Sequence, residues 1–228
     1  MDFEYLFELL CGGVVKGSIY ALIALGYTMV YGIIQLINFA HGEVYMIGAF
    51  VAFIVAGIMT LTGYSGMSVL VLAAIVAVIY AAAYGYTLEK IAYRPLRKAP
   101  RLSPLISAIG ASIFLMNYVQ LAQTPDFLPF PELVTDFEFL EPISRYMSSV
   151  DVVILAVTAV TMTALTVLIK YTRIGKAMRA TQQDQVMARL VGINVDRVIS
   201  ATFIIGSVLA AIGGVLIASR TGQINSAI

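Results

Sequence analysis

The residues best suited to chemistry lie in one short polar interruption, residues 37–43, between two apolar segments. It contains Asn38, Gly42, Glu43 and the only histidine of the chain, His41. Ionisable side chains within or beside membrane spans are costly and often functional. A helix that began near Gly42 would place Glu43 in its first turn, where the helix dipole favours a carboxylate. His41 has no partner at a spacing that would make a metal site or a catalytic base.

Two structures fit this interruption. It is either a tight cytoplasmic turn whose polar side chains cap two helices, or a break in a discontinuous helix near the bilayer midplane. Transporters use such breaks because exposed backbone groups and helix ends then face the substrate path. Spacing alone favours the turn, since each flanking segment is long enough to span a membrane. In the second case the candidate substrate-path residues are Asn38, His41, Gly42 and Glu43.

The apolar segments that must position this interruption predict an all-α, polytopic membrane protein. Of the 228 residues, 60% are hydrophobic and 12% are charged, whereas ordinary soluble domains are about 25% charged. A bilayer core needs about 20 apolar residues per helix, and we predict a single transmembrane domain over residues 1–228. Its six predicted spans are 13–36, 44–62, 67–88, 104–122, 150–170 and 199–218.

The charged residues lie between the predicted spans and alternate in sign. Residues 89–104 and 170–198 are predominantly basic, whereas residues 123–149 are predominantly acidic. The positive-inside rule places both basic loops in the cytoplasm and the acidic loop outside. Two spans separate the basic loops, so the parity of the six spans agrees, and the N-terminus falls outside.

The second basic loop is too long for a minimal turn and predicts a short amphipathic cytoplasmic helix. Apolar residues recur at roughly helical spacing between Ala177 and Val191, and Gly192 is placed to end the helix. Such a helix suits docking to a soluble partner. A solvated loop whose apolar residues rest on the bilayer surface fits the pattern equally well.

Two predicted spans carry a small residue at every fourth position, which lets helix backbones approach closely in lipid. We interpret these stripes as packing faces inside the bundle rather than as a subunit interface. They are Ala73, Ala77, Ala81 and Gly85 in one span, and Gly206, Ala210, Gly214 and Ala218 in the other.

Several function classes are disfavoured by what the sequence lacks. A single cysteine, Cys11, excludes an internal disulfide and a cysteine-based zinc site. No Gly-x-x-x-x-Gly-Lys-[Ser/Thr] motif is present for P-loop binding of ATP, and a net charge of +1 gives no sign of nucleic-acid binding. The first competing hypothesis is an ion-coupled secondary transporter. Such proteins usually bury several ionisable residues within their spans, whereas only His41 and Glu43 are candidates here. An intramembrane enzyme built around His41 needs a nucleophile or metal partner that the spacing does not supply.

The segments 17–32 and 36–48 closely resemble the N-terminal signature of branched-chain amino-acid ABC transporter permeases of the LivH type. The specific part is the block from Asn38 to Glu43, Asn-Phe-Ala-His-Gly-Glu. Further resemblance lies in residues 92–97, 106–115, 192–198 and 202–206, and it runs from about residue 12 to the end.

This resemblance implies a multi-pass permease subunit of an ABC importer for branched-chain amino acids in the bacterial inner membrane. The implied partners are a second related permease, two cytoplasmic ATPases that bind the ATP, and an external amino-acid-binding protein. The chain itself would hold no cofactor and catalyse no reaction. A permease for urea or another short amide is the alternative within the family.

The resemblance also implies that the segment 175–192 is the coupling loop seated on an ATPase. It supports the helix-break interpretation of residues 37–43, which is then favoured as much as the turn. Family members continue past Ile228 with further spans, so we expect a chain truncated at its C-terminus. The implied coupling residues are Gly175, Arg179, Ala180, Asp184, Ala188, Gly192, Ile193 and Asn194.

Overall fold

The computed structural model describes residues 3–97, 99–100, 102–135 and 146–226. The helices in this part of the chain are α1 (Phe3–Ile34), α2 (His41–Leu61), α3 (Met67–Leu88), α4 (Leu102–Ala122), α5 (Ser149–Tyr171), α6 (Arg173–Gln183), α7 (Gln185–Leu190) and α8 (Val195–Thr221). Six of them, α1 to α5 and α8, are long and apolar enough to cross a membrane. The predicted all-α polytopic fold with six spans is confirmed.

Two short elements extend this helical framework. A π-helical turn, Glu89–Tyr93, and a 3₁₀ turn, Arg94–Leu96, continue α3. At the other end of the bundle β1 (Leu128–Pro129) pairs antiparallel with β2 (Gln223–Ile224). Neither the π-helical turn nor this small sheet was predicted from the sequence.

The predicted starts of two spans were wrong. The first helix begins at Phe3 rather than near residue 13, because residues 3–12 are themselves mostly apolar and are interrupted only by Glu4 and Glu8. The charge of Glu4 also suits a helix N-terminus. The last begins at Val195 rather than at residue 199, because Asn194 caps it: its Oδ1 accepts a 3.1 Å hydrogen bond from the Arg197 N–H.

Helix α8 is the centre of the bundle and packs against α1, α2 and α3. A Cβ added to Gly206 would lie 3.1 Å from the carbonyl oxygen of Gly26 in α1. Gly214 lies against the carbonyl of Tyr45 in α2, and Gly85 of α3 lies against Ser207 of α8. Both small-residue stripes are buried, so their interpretation as packing faces within the bundle is confirmed.

The direction of the helices follows from these contacts. Helix α3 runs antiparallel to α8, since Gly85 meets Ser207 and Glu89 meets Ser200 farther toward the start of α8. The basic segments therefore lie at the end where α8 begins. The described part of the acidic loop lies at the opposite end, where the Phe130 N–H donates a 2.9 Å hydrogen bond to the Gly222 carbonyl. Residues 136–145 of that loop lie outside the described residues.

Candidate functional site

The segment between α1 and α2 turns back into the depth of the bundle. The His41 ring, at the start of α2, lies beside the contact between Gly26 of α1 and Gly206 of α8: a Cβ on Gly26 would be 3.1 Å from His41 Cε1 and 2.9 Å from the Gly206 carbonyl oxygen. Gly26 precedes the last residue of α1, Ile34, by about 12 Å along the helix axis, and Gly206 is near the middle of α8. The start of α2 thus lies beside the middle of α8. We call residues 37–43 the break.

The polar side chains of this break do not cap α2, so the capping interpretation was wrong. The cap position is Ala40, which has no side-chain hydrogen bond. Asn38 Oδ1 instead accepts a 2.8 Å hydrogen bond from the Tyr93 hydroxyl, and Glu43 Oε1 accepts one of 2.9 Å from Ser112 Oγ of α4. Within the described residues, the backbone N–H groups of Gly42 and Glu43 donate to no acceptor.

A cavity of about 360 Å³ opens beside the start of α2. Its wall is mostly apolar with a few polar groups, the composition of small-molecule sites. The lining residues are Tyr20, Ile23, Ala24, Tyr27 and Thr28 of α1 with Asn38, Phe39, His41 and Gly42 of the break.

His41 and Gly42 give this cavity its particular chemistry. The His41 side chain is almost wholly buried, its ring centroid lies 6.0 Å from that of Tyr27 in an edge-to-face arrangement, and its Nε2 has no hydrogen-bond partner in the described part of the chain. Gly42 is exposed, and a Cβ added there would meet no atom within 4 Å. The free end of α2 is therefore open to a ligand. No group of three His, Cys, Asp or Glu residues among the described residues is placed to hold a metal ion.

The segment that was predicted to be one amphipathic cytoplasmic helix forms two helices, α6 and α7. Asp184 separates them, because its extended backbone ends α6 and its Oδ1 accepts hydrogen bonds of 2.7 and 3.0 Å from the N–H groups of Val186 and Met187 in α7. Gly192, with φ +84°, follows α7, so the prediction that this glycine ends a helix is confirmed.

The eight residues predicted for coupling mostly shape this segment. Gly175 is buried against the carbonyls of Leu168 and Ile169, and exposed Arg179 donates to the Ile169 carbonyl. Ala188 is buried, and Ile193 packs on the same buried cluster. Ala180 accepts the backbone hydrogen bond that ends α6 at Asp184, Gly192 closes α7 and Asn194 caps α8. Their part in coupling stays a prediction.

A different set of α7 residues forms an exposed apolar face. Val186, Met187, Leu190 and Val191 are 59–75% exposed. Their amphipathic spacing is visible in the sequence, but it does not tell which apolar residues of a two-helix segment pack inward. We call these four residues the α7 face.

A buried ion-pair network, missed in the sequence, ties α3 to the start of α8. Glu89 is fully buried. Arg97 forms an ion pair with Glu89 and a second ion pair, 2.5 Å long, with Asp196. Ser200 Oγ donates a 2.7 Å hydrogen bond to Glu89 Oε2. Burial lowers the pKa of Arg97 and the two carboxylates oppose that change, yet a guanidinium stays charged in proteins. The available signal was Glu89, the lone acidic residue of a basic loop beside an apolar span.

Comparison with known proteins shows similarity to one family over nearly the whole chain. Residues 9–228 match the family described as branched-chain amino acid transport system / permease component. The high-affinity branched-chain amino acid transport system permease protein LivH of Salmonella typhimurium LT2 is 47% identical over 228 residues, covering 98% of this chain and 74% of the relative. LivH of Escherichia coli K12 gives the same values. BraD of Pseudomonas aeruginosa PAO1 is 46% identical over 230 residues, covering 99% and 75%. No solved structure matches.

Proposed function

The chain belongs to the family of branched-chain amino acid transport permeases, and from this premise we propose that it carries leucine, isoleucine or valine through the bacterial inner membrane as the permease subunit of an ABC importer. The observation that supports a transport path is the helix break at the start of α2, placed halfway along α8 beside an open cavity. Residues 89–104 and 170–198 then face the cytoplasm, and residues 123–149 face outside.

The substrate path passes the start of α2. A zwitterion with an apolar side chain needs a mostly apolar wall and a few polar anchors. The free N–H groups of Gly42 and Glu43, at the positive end of the α2 dipole, suit the α-carboxylate. His41 lines the same cavity, while apolar groups such as Ile23 and Phe39 suit the substrate side chain.

The force for transport comes from partner subunits. The α7 face offers four exposed apolar side chains at the end of the bundle where α8 begins, which fits a groove on a cytoplasmic ATPase. Two such ATPases bind and hydrolyse ATP, since this chain has no phosphate-binding loop. A second, related permease completes the path across the bilayer, and an external binding protein delivers the amino acid on the side of the acidic loop.

Co-purification tests the docking part of this proposal. The chain is expressed with the neighbouring ATPases and permease and captured through a tag on an ATPase. Replacing Leu190 of the α7 face by serine is expected to weaken capture by about tenfold, the value of burying one leucine side chain. Tyr171→Ser, at an equally exposed residue at the end of α5, is the matched control. Capture that neither variant alters, or no capture of the parent chain, overturns docking through α7.

Uptake into proteoliposomes tests the substrate and the energy source. Leucine uptake that requires ATP and is suppressed by excess valine supports the proposal. Uptake suppressed by urea instead supports the short-amide alternative. Uptake driven by a proton or sodium gradient without ATP overturns the importer and supports the secondary transporter.

A further inference from the structure

The first residue of α7 holds the end of α1 directly. Gln185 Nε2 donates a 2.9 Å hydrogen bond to the Ile33 carbonyl oxygen, 152 residues away in the chain. Ile33 lies in the last turn of α1, where carbonyl groups have no partner within the helix. A side chain from the helix that bears the α7 face therefore satisfies a backbone group next to the break.

The residue that follows α1 has an unusual backbone. Gln35 has φ +57°, and it is the one non-glycine residue with positive φ in the described part of the chain. Its N–H donates a 2.7 Å hydrogen bond to the Tyr31 carbonyl, which ends the helix in a left-handed residue. Left-handed backbone is costly for a side chain other than glycine and persists where the surroundings enforce it. The conformation of the junction between α1 and the break is therefore held by its surroundings, which include the Gln185 contact with Ile33.

The far side of the break is held by Tyr93 of the π-helical turn, whose hydroxyl donates to Asn38. The Tyr93 ring packs 5.0 Å from that of Phe203 in α8. Both rings belong to one buried cluster with Met178 of α6 and Ala188 of α7. Interiors are close-packed and transmit displacement, so α7 contacts the break along two routes, through Gln185 and through this cluster.

We propose that Gln185 and Tyr93 are positioning residues that couple the ATPase-docking helix α7 to the substrate-path break. The proposal rests on the function proposed above and adds its regulation: when nucleotide binding in the ATPases moves α7, the Gln185 contact moves the end of α1. The Tyr93 contact holds the other side of the break against α3 and α8. The opening beside Gly42 therefore depends on nucleotide.

Labelling of a cysteine in the break tests this coupling without depending on transport. In a Cys11→Ser background, Gly42→Cys places a thiol where a Cβ meets no atom within 4 Å. Its rate of reaction with a water-soluble maleimide is measured in the assembled complex, without nucleotide and with ATP and vanadate. The parent is expected to change its rate between the two states by about threefold to tenfold, the equilibrium shift that a hydrogen bond of ordinary strength controls.

Gln185→Met removes the donor while keeping a long side chain, and its nucleotide-dependent change is expected to vanish although the complex assembles and hydrolyses ATP. Gln183→Met, at the exposed last residue of α6, is expected to keep the change. Tyr93→Phe, which removes one oxygen atom, is the second variant and should reduce the change. The inference is overturned if both Gln185→Met and Tyr93→Phe keep the parent response, or if Gln183→Met loses it equally. A parent complex that fails to assemble or to hydrolyse ATP overturns the proposed function instead.

Discussion

The Tyr93 hydroxyl donates a 2.8 Å hydrogen bond to Asn38 Oδ1, joining residues 55 positions apart. Both side chains are buried, so neither polar group can turn to water when the other is removed. This bond connects the π-helical turn after α3 to the break between α1 and α2. The first prediction concerns its contribution to stability.

Tyr93→Phe is expected to lower the free energy of unfolding by about 1–3 kcal/mol, because the Asn38 carboxamide loses its donor inside the bundle. Thermal denaturation of the purified protein in mild detergent measures it. Tyr80→Phe, at a half-exposed tyrosine of α3, should leave the midpoint unchanged. The double variant Tyr93→Phe with Asn38→Leu should lose less unfolding free energy than the sum of the losses of the two single variants. Equal midpoints for the Tyr93 and Tyr80 variants would contradict the assignment.

Arg97→Met should destabilise the protein by about 3–5 kcal/mol, because it leaves the Glu89 carboxylate buried without its cationic partner. The double variant Arg97→Met with Glu89→Gln removes both charges and should recover a large part of this loss. Arg94→Met provides the control: Arg94 pairs with Asp196 at 3.5 Å with both side chains 46% exposed, so its loss should cost about 1 kcal/mol or less. Chemical denaturation in detergent measures all three.

If Arg94→Met lowered the free energy of unfolding as much as Arg97→Met, the burial of Glu89 would not be the cause of the destabilisation. The Arg97 guanidinium stays charged at any ordinary pH. A change of pH in this range should therefore not remove the positive charge whose loss the Arg97→Met variant measures.

The spans were predictable from the sequence because the bilayer imposes a length and a polarity on every crossing helix. The same reasoning could not fix where a helix begins in space. Residues 13–36 and 44–62 were predicted as two complete spans, and only the contact of the His41 ring with Gly26, which itself meets Gly206, shows that α2 begins beside the middle of α8.

The candidate site was partly predictable for a related reason. Polar residues in an apolar chain are conspicuous, so Asn38, His41 and Glu43 were found as a group. Tyr93 was missed because tyrosine occurs 13 times in the chain and nothing local separates a buried donor from an exposed ring. Gln185 was missed because its partner is a backbone carbonyl 152 residues away. Long-range pairing is a property of the packed bundle and leaves no local pattern.

Gly214→Ala is expected to destabilise the bundle by about 1–3 kcal/mol, the cost of overfilling a packed contact. A Cβ there would overlap the Tyr45 carbonyl and lie 3.2 Å from the Ala49 nitrogen, and backbone atoms of α2 cannot turn away as a side chain can. Gly57→Ala in α2, where a Cβ meets no atom within 4 Å, should be neutral or slightly stabilising. Similar thermal midpoints for the two variants would show that α2 and α8 are less closely packed than these contacts require.

The last prediction separates transport from folding at the break. Gly42 is exposed beside the cavity, and a new side chain there would meet no atom of this chain within 4 Å. Gly42→Leu should therefore leave thermal stability and capture by the ATPases unchanged.

The same leucine would fill space on the proposed substrate path and cover the free N–H groups at the start of α2. ATP-dependent leucine uptake should fall by about tenfold or more, since a steric clash of about 1–3 kcal/mol corresponds to one or two decades in rate. Gly57→Leu, also in open space but farther along α2, should transport at the parent rate. Gly42→Ala should have an intermediate rate, because one methyl group narrows the opening without closing it. Full uptake by Gly42→Leu would mean that the substrate passes elsewhere, and the α2 N-terminus would then be a structural end rather than part of the path.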